Sequence, residues 1–304
     1  MTHVLTWRNG LSESEAAEIA LLLTETAEAD GAHPVSEDVR LRLRQSGPAE
    51  IQIEPVQGDV MGSEHFVVRD GAGLLLGYAH LDGGAEPPVA ELAVHPAHRR
   101  AGVGTRLVTA LTERAPHLKV WSHSQDPAAE VLARKFGFTV TRELWQMRAP
   151  LHDDFPEPRW PQGIQVRTFV PGQDEGAVVE VNAKAFAWHP EQGRMSVADV
   201  RAREAEAWFD PAGFFLAVDE NDRLAGFHWT KIVDGLGEVY VVGVDPESQG
   251  GGLGKALTLA GLRHLRGREL AEVMLYVERD NEAAVHVYQK LGFTRASSDV
   301  QYTL

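Results

Sequence analysis

The segment VYVVGVDPESQGGGLGKALT, residues 239–258, passes from an apolar run through Asp245-Pro246 into four glycines within residues 249–254, then into a helical pattern. A glycine-rich turn between strand and helix gathers backbone N–H groups at the positive end of a helix dipole, which suits a phosphate. A related segment, ELAVHPAHRRAGVGTRLV, occupies residues 91–108. His95-Pro96 pairs with Asp245-Pro246, Arg99 with Gln249, Gly102 with Gly252 and Gly104 with Gly254, all at an offset of 150. Further on, KFGF (135–138) pairs with KLGF (290–293) at an offset of 155, which fits one longer loop near residues 266–273. One unit is written twice.

The register of the turn excludes two common phosphate loops. A Walker A loop would put its first glycine on Gln249 and its final hydroxyl on Ala256. A dinucleotide fingerprint counted from Gly250 ends on Lys255, and counted from Gly102 it ends on Leu107. Both copies do satisfy Arg or Gln, two residues, Gly, one residue, Gly: RRAGVG at 99–104 and QGGGLG at 249–254.

Composition narrows the rest. A chain of 304 residues, 43% hydrophobic and 24% charged, has room for two ordinary soluble domains. The net charge of −15 argues against a nucleic-acid or anionic-membrane surface. The absence of cysteine removes disulfides, thiolate metal sites and a cysteine nucleophile. Thirteen histidines show no H-E-x-x-H or paired-ligand spacing, so no metal is expected, and His189 and His228 read as polar pocket or surface residues. The N-terminal stretch lacks the pattern of a signal peptide, and no apolar run reaches membrane-span length, so a cytoplasmic chain is expected. Nothing demands a dimer, and a monomer is expected.

Each half gives the same coarse pattern. The first opens with a helix in which Ser12 and Glu15 have capping-box spacing, Ile19, Leu22 and Leu23 form an apolar face, and Gly31 ends it. Strands follow at HFVVRD, LLLGYAHL and VAELAVH, then the glycine loop, a helix, a strand LKVWSH and a helix from Asp126 to Gly137. The second half repeats this order, with Asn281 as the cap of its last helix and Gly292 near its end. The proline-rich stretch at about 149–163 reads as a linker. The fold class expected is α+β: two tandem domains, 1–150 and 151–304, each a mixed, mostly antiparallel sheet flanked by helices.

The loop pattern resembles the acyl-CoA pyrophosphate loop of the GNAT N-acetyltransferase family. A second element, N-x-x-A-x-x-x-Y-x-x-x-G-F, stands as Asn281, Ala284, Tyr288, Gly292 and Phe293 and is similar to the next motif of that family. The resemblance implies two GNAT-type domains and acetyl-CoA as cosubstrate. It implies cofactor contacts at Val242, Gly243 and Val244, at Gln249, Gly250, Gly251, Gly252, Leu253, Gly254 and Lys255, and at Asn281, Glu282, Ala283, Ala284, Val285 and His286. In the first copy the corresponding positions are Leu92, Ala93 and Val94, with Arg100, Ala101, Gly102, Val103, Gly104 and Thr105.

Acyl transfer from a thioester to an amine needs a neutral amine, a donor for the developing oxyanion and a proton for the leaving thiolate. Without cysteine, direct attack by the bound amine is the economical route. Tyr288 falls where many members of the family carry a tyrosine acid, and Glu238, before the loop, is the candidate general base. Offset arithmetic places Ala133 opposite Tyr288 and Pro88 opposite Glu238 in the first copy, so that copy is expected to bind acyl-CoA without catalysing transfer.

Stretches such as NAKAFAWHPEQG, EAWFDP and GFHWTK are similar to a tandem-domain branch of the family that acetylates the cysteinyl amine of cysteinyl-glucosaminyl-inositol. That similarity implies substrate contacts at Glu37, Glu191, Lys231, Glu238 and Tyr276, with a small-molecule amine as partner and a pocket between the domains. The residues by themselves leave two alternatives open. One is an acetyltransferase for another small amine or an aminoglycoside, and the other a non-catalytic acyl-CoA sensor.

Overall fold

A computed structural model describes residues 3–45, 62–152, 154–189 and 192–304. Contacts divide the chain into two compact units, Met1–Leu144 with Ser297–Leu304, and Trp145–Ala296. The sequence alone suggested a break at 150 and 151, without the return of the C-terminal residues to the first unit. Strand pairing accounts for the difference.

In the first unit the strands are β1 (Val4–Arg8), β2 (Ser63–Arg69), β3 (Leu75–Asp82), β4 (Val89–Val94) and β5 (Lys119–Ser122). Successive strands pair antiparallel except β4 and β5, which run parallel. The far side of β5 is taken by the last strand of the chain, β12 (Thr294–Thr303), through Val300↔Ser122 to Thr303↔Lys119. The helices are α1 (Glu13–Asp30), α2 (Glu37–Gln45), α3 (Val103–Arg114) and α4 (Pro127–Phe136). Alternation along the strands separates two cores. Val67 and Leu75 face α1 and α2 with Ile19, Leu22 and Val39, whereas Phe66, Val68 and Leu76 face α3 with Val103, Leu107 and Leu111. The sequence expectation for α1 holds in detail, with a reciprocal capping box at Ser12 and Glu15 and Gly31 in the left-handed region at φ 70°.

In the second unit, residues 145–150 of β6 (Thr139–Pro150) lie beside β11 (Glu272–Glu278). The sheet continues through β10 (Leu236–Val244), β9 (Leu224–Val233) and β8 (Phe214–Val218) to β7 (Gln165–Thr168). Here too only one of the described pairings is parallel, β10 with β11. On one face, α5 (Glu175–Ala185) and α6 (Val197–Glu204) cover Phe214, Leu216, Phe227, Trp229 and Val241. The other face packs against α7 (Leu253–Gly267) and α8 (Glu282–Lys290), with Leu257, Leu262, Leu265, Val285 and Phe293 as the main fillers. Both units are therefore α+β, with a mixed, mostly antiparallel sheet between helical layers.

Candidate active site

The glycine loops are built identically in the two units. His95 Nδ1 accepts from Ala97 N at 3.2 Å, and Asp245 Oδ1 from Glu247 N at 3.0 Å, so the residue before each proline caps a single 3-10 turn. Gly102 and Gly252 then sit at φ 82° and 83°, a left-handed backbone that glycine adopts without steric cost. The helical ladders start with Arg106 N to Gly102 O and Ala256 N to Gly252 O, at 3.1 and 3.0 Å. The N–H groups of Val103, Gly104 and Thr105, and of Leu253, Gly254 and Lys255, therefore have no acceptor within their own helices. Space in front of the turns is open, since a Cβ added at Gly102, Gly250 or Gly252 would meet nothing within 4 Å. Convergent donors, a positive helix end and room for close approach fit the pyrophosphate of an acyl-CoA.

The two loops differ in cost and charge. Arg100 holds φ 61° where the second loop has Gly250 at φ 88°, a strain of about 1 kcal/mol for a residue with a Cβ. The first loop carries Arg99, Arg100 and Arg106 where the second has Gln249, Gly250 and Ala256. In the fold Arg99 is held bidentately by Asp30 at 2.8 and 2.6 Å, so that guanidinium is already neutralised. Lys135 Nζ lies 3.3 Å from Thr105 Oγ1, at the first turn of α3.

Above each loop a strand pair opens. β10 and β11 are paired only at Gly237, Glu238 and Val239, while β10 runs on to Val244; β4 and β5 are paired only at Val89 and Ala90, while β4 runs on to Val94. The stretches Val242, Gly243, Val244 and Leu92, Ala93, Val94 thus leave their parallel neighbours, and their edges can pair with an extended ligand such as a pantetheine arm. The second motif is local capping. Asn281 Oδ1 accepts from Ala284 N at 3.2 Å, opening α8, and Asp126 does the same for Ala128 at 2.8 Å, opening α4. Glu282, Ala283 and His286 are exposed at the start of α8, whereas Val285 points into the core.

The groups proposed for proton transfer occur in the second unit. Glu238 is buried on β10, directly across from Lys231 on β9, with Lys231 Nζ 3.8 Å from Glu238 Oε2. Lys231 also lies 4.8 Å from the ring centres of both Trp208 and Tyr240. Arg203 Nε of α6 donates to the Tyr240 hydroxyl at 2.6 Å. Tyr288, half-buried on α8, packs edge-on against Phe293 at 5.7 Å, in the cluster that includes Val239 and Val242. Burial pushes its hydroxyl up to about 12, so it is protonated across the neutral range.

Register revises one correspondence. The pairing of β9 with β10 slips between Val239 and Val241, making Tyr240 the extra residue of a bulge, and β4 has no such slip. Glu238 faces Met274 on β11, and the residue of β4 facing the matching Lys119 is Val89. The counterpart of Glu238 is therefore Val89, one residue beyond the Pro88 that offset counting gives, and it too lacks a proton-transfer group. Ala133 stands opposite Tyr288, since Phe138 N bonds to Ala133 O as Phe293 N bonds to Tyr288 O, at 2.9 and 3.0 Å.

Glu37 and Tyr276 stand on separate elements, in different units. Tyr276 is exposed on β11, its hydroxyl accepting from Gln146 Nε2 at 3.1 Å. Glu37 begins α2 in the first unit. Glu191 lies outside the described residues. His228 is not a pocket or surface residue: it is fully buried, its Nδ1 is 2.7 Å from Leu257 O, and its ring fills the space beside Gly261, where a Cβ would come within 2.0 Å. Trp208, Tyr240 and Arg203 escaped sequence reading. The i, i+2 spacing of Glu238 and Tyr240 was a usable signal, but the bulge between them was not legible.

Phosphate-cradling loops beneath opened strand pairs, one accompanied by a buried carboxylate and a neutral phenol, define an acyl-CoA-dependent acetyltransferase of the GNAT class. Residues 182–293 match the acetyltransferase (GNAT) family and residues 61–140 an acetyltransferase (GNAT) domain. The chain belongs to the mycothiol acetyltransferase family. It is 56% identical over 299 residues to the mycothiol acetyltransferase of Saccharopolyspora erythraea, covering 92% of this chain and 99% of that one. Identity to the mycothiol acetyltransferase of Actinosynnema mirum is 52%, over 99% of each chain, and to that of Streptomyces coelicolor 50%, over 96% and 92%. Among solved structures, a tandem GNAT protein from the clavulanic acid biosynthesis pathway shares the fold, with a TM-score of 0.71 at 22% identity over 99% and 98% of the chains. A GCN5-related N-acetyltransferase from Sphaerobacter thermophilus gives 0.63 at 25% identity over 99% and 95%. No described helix is long and apolar enough to cross a membrane, and no described cluster of His, Asp and Glu is arranged to hold a metal.

Proposed function

We propose that this chain moves the acetyl group of acetyl-CoA onto the cysteinyl amine of cysteinyl-glucosaminyl-inositol, giving mycothiol. The observation that carries the reading is the asymmetry between the units. Both have the cofactor loop, but Glu238 and Tyr288 stand in the second while Val89 and Ala133 stand in the first. The name shared by the relatives supports the acceptor.

Acetyl-CoA supplies the activated acetyl group, its thioester carbon joining the amine nitrogen as the carbon–sulfur bond breaks. The donors at the N-terminus of α7 hold the pyrophosphate, and the open edge of Val242 to Val244 guides the pantetheine arm. Glu238 takes the amine proton, directly or through one water, as the nitrogen–carbon bond forms. Tyr288 donates a hydrogen bond toward the charge growing on sulfur and releases its proton as the thiolate leaves. Glu37, Glu191 and Tyr276 would accept hydrogen bonds from, or donate them to, the hydroxyl-rich acceptor. The first unit holds acyl-CoA without turnover, and the enzyme works as a cytoplasmic monomer.

A mass-spectrometric panel of amines with acetyl-CoA tests the acceptor. Cysteinyl-glucosaminyl-inositol is expected to gain one acetyl group on nitrogen, ahead of aminoglycosides and polyamines. No acetylated product from it would remove this reading. Calorimetry is expected to count two acetyl-CoA sites per chain, and a count of one would remove the binding role given to the first unit.

A further inference from the structure

Of the seven tryptophans only Trp188 is exposed, at 57%. It lies on the turn after α5, and that turn is tied down by its neighbours. His189 N donates to Phe186 O at 2.8 Å, and His189 Nδ1 accepts from Gln192 N at 2.9 Å. Asn182, fully buried on α5, donates to Gln192 O at 2.6 Å and accepts from its side chain at 3.0 Å. With Nδ1 an acceptor, the ring proton of His189 is on Nε2, which faces the buried Glu278 of β11 at 3.5 Å. Trp188 stands edge-on to this imidazole, with ring centres 5.4 Å apart. The turn therefore presents a large aromatic ring to solvent from a fixed point above β11, and core packing does not account for it.

That point shares a face of the sheet with Glu238. Glu238 and Met274 are partners in the parallel ladder, and Tyr276 and Glu278 follow Met274 at intervals of two. Val273, Leu275 and Val277 turn to the opposite core. From Met274 to Glu278 the strand advances about 13 Å. Pairing with β10 ends at Leu275, and beyond it Tyr276 is 41% exposed. A floor thus runs along β11 from the level of the candidate base, past Tyr276, to the turn that carries Trp188.

The acceptor proposed above has its reacting amine at one end and an inositol ring at the other, with an amide and one sugar ring between them. That span matches the advance of the floor. Glucosamine and inositol each have C–H faces and hydroxyl edges, and a C–H face packs on the negative face of an aromatic ring. With the amine at Glu238 and the glucosamine beside Tyr276, the inositol comes to the far end. We infer that Trp188 is a specificity-determining residue whose indole forms the platform for the inositol ring. This rests on the acetyl-transfer reading above and adds to it which side chain recognises the part of the acceptor farthest from the chemistry.

Trp188→Ala is expected to raise KM for cysteinyl-glucosaminyl-inositol about tenfold. Its kcat, its KM for acetyl-CoA and its melting temperature stay near wild type, because the ring touches neither the cofactor loop nor the core. Trp188→Phe keeps an aromatic face and retains most of the affinity. Cysteinyl-glucosamine, which lacks the inositol, is the control: its kcat/KM is below that of the full acceptor in the wild type and is unchanged by Trp188→Ala. Equal KM for the full acceptor in wild type and Trp188→Ala would overturn the platform, and so would an equal loss with both acceptors. No acetylated product from either acceptor with the wild type would instead overturn the acetyl-transfer reading itself.

Discussion

Replacing Tyr288 with phenylalanine lowers kcat by about 10²–10⁴-fold, the usual range for a lost proton donor, while acetyl-CoA binding and the melting temperature stay near wild type. The selectivity follows from what the substitution removes. The ring keeps its edge-on contact with Phe293 and its place among Val239, Val242 and Val285. Only the hydroxyl goes. Because burial pushes that hydroxyl up to about 12, it is a protonated donor in the wild type at every pH used for assay, and its ionisation is not what limits activity on the alkaline side below that value. Steady-state kinetics beside calorimetric binding makes the check. A kcat close to wild type in the phenylalanine variant would remove Tyr288 from the chemistry.

The second large effect concerns the first unit and has nothing to do with catalysis. Replacing His123 with alanine is expected to cost about 3–5 kcal/mol, as for other buried ionic groups that lose one partner. His123 Nδ1 is 2.7 Å from Asp299 Oδ2 and its Nε2 is 3.0 Å from Glu91 Oε2. Both carboxylates are buried, and Ser36 donates to Glu91 from its hydroxyl and its backbone N–H. Removing the imidazolium leaves two negative charges in the interior, Glu91 still accepting from Ser36 and Asp299 from the Ser124 N–H at 3.0 Å.

Burial disfavours the charged ring, but the hydrogen bonds and charges of Asp299 and Glu91 outweigh it and raise His123 to about 10 from 6.5. A raised pKa stabilises the fold below the unfolded value. The contribution is therefore complete below about pH 6.5 and is lost as pH rises through about 10. Denaturant midpoints measured across that window should fall for wild type and stay flatter for His123→Ala. Since Asp299 lies on β12, exchange of the amides at 300–303, which pair with β5, should quicken in the variant. Identical midpoints and identical exchange would contradict the network's role.

Much of the site was legible because its chemistry is local. A left-handed glycine before a helix, a residue capping a 3-10 turn and an asparagine capping α8 each depend on a few neighbours, and spacing exposes them. Two tandem α+β units followed from finding those patterns twice. What escaped depends on partners distant in sequence. Residues 36, 91, 123 and 299 meet in one buried cluster with no spacing to announce it. β12 could not be assigned to the first unit because strand pairing with β5 leaves no mark on its own composition. The bulge at Tyr240 changed the counterpart of Glu238 from Pro88 to Val89, since one inserted residue in a strand is invisible when the offset is set by the loop beyond it. Arg99 pairs with Asp30, 69 residues away, a partner that spacing does not reveal.

Glu238 carries the claim that one unit of two performs the transfer. Glu238→Gln keeps the shape of the side chain and removes its ability to take a proton. Acetylation of cysteinyl-glucosaminyl-inositol by this variant, followed at saturating acetyl-CoA beside the wild type, is expected to show kcat reduced by about 10²–10⁴-fold with acetyl-CoA bound as before. Turnover equal to the wild type would contradict the assignment of the chemistry to the second unit through this carboxylate.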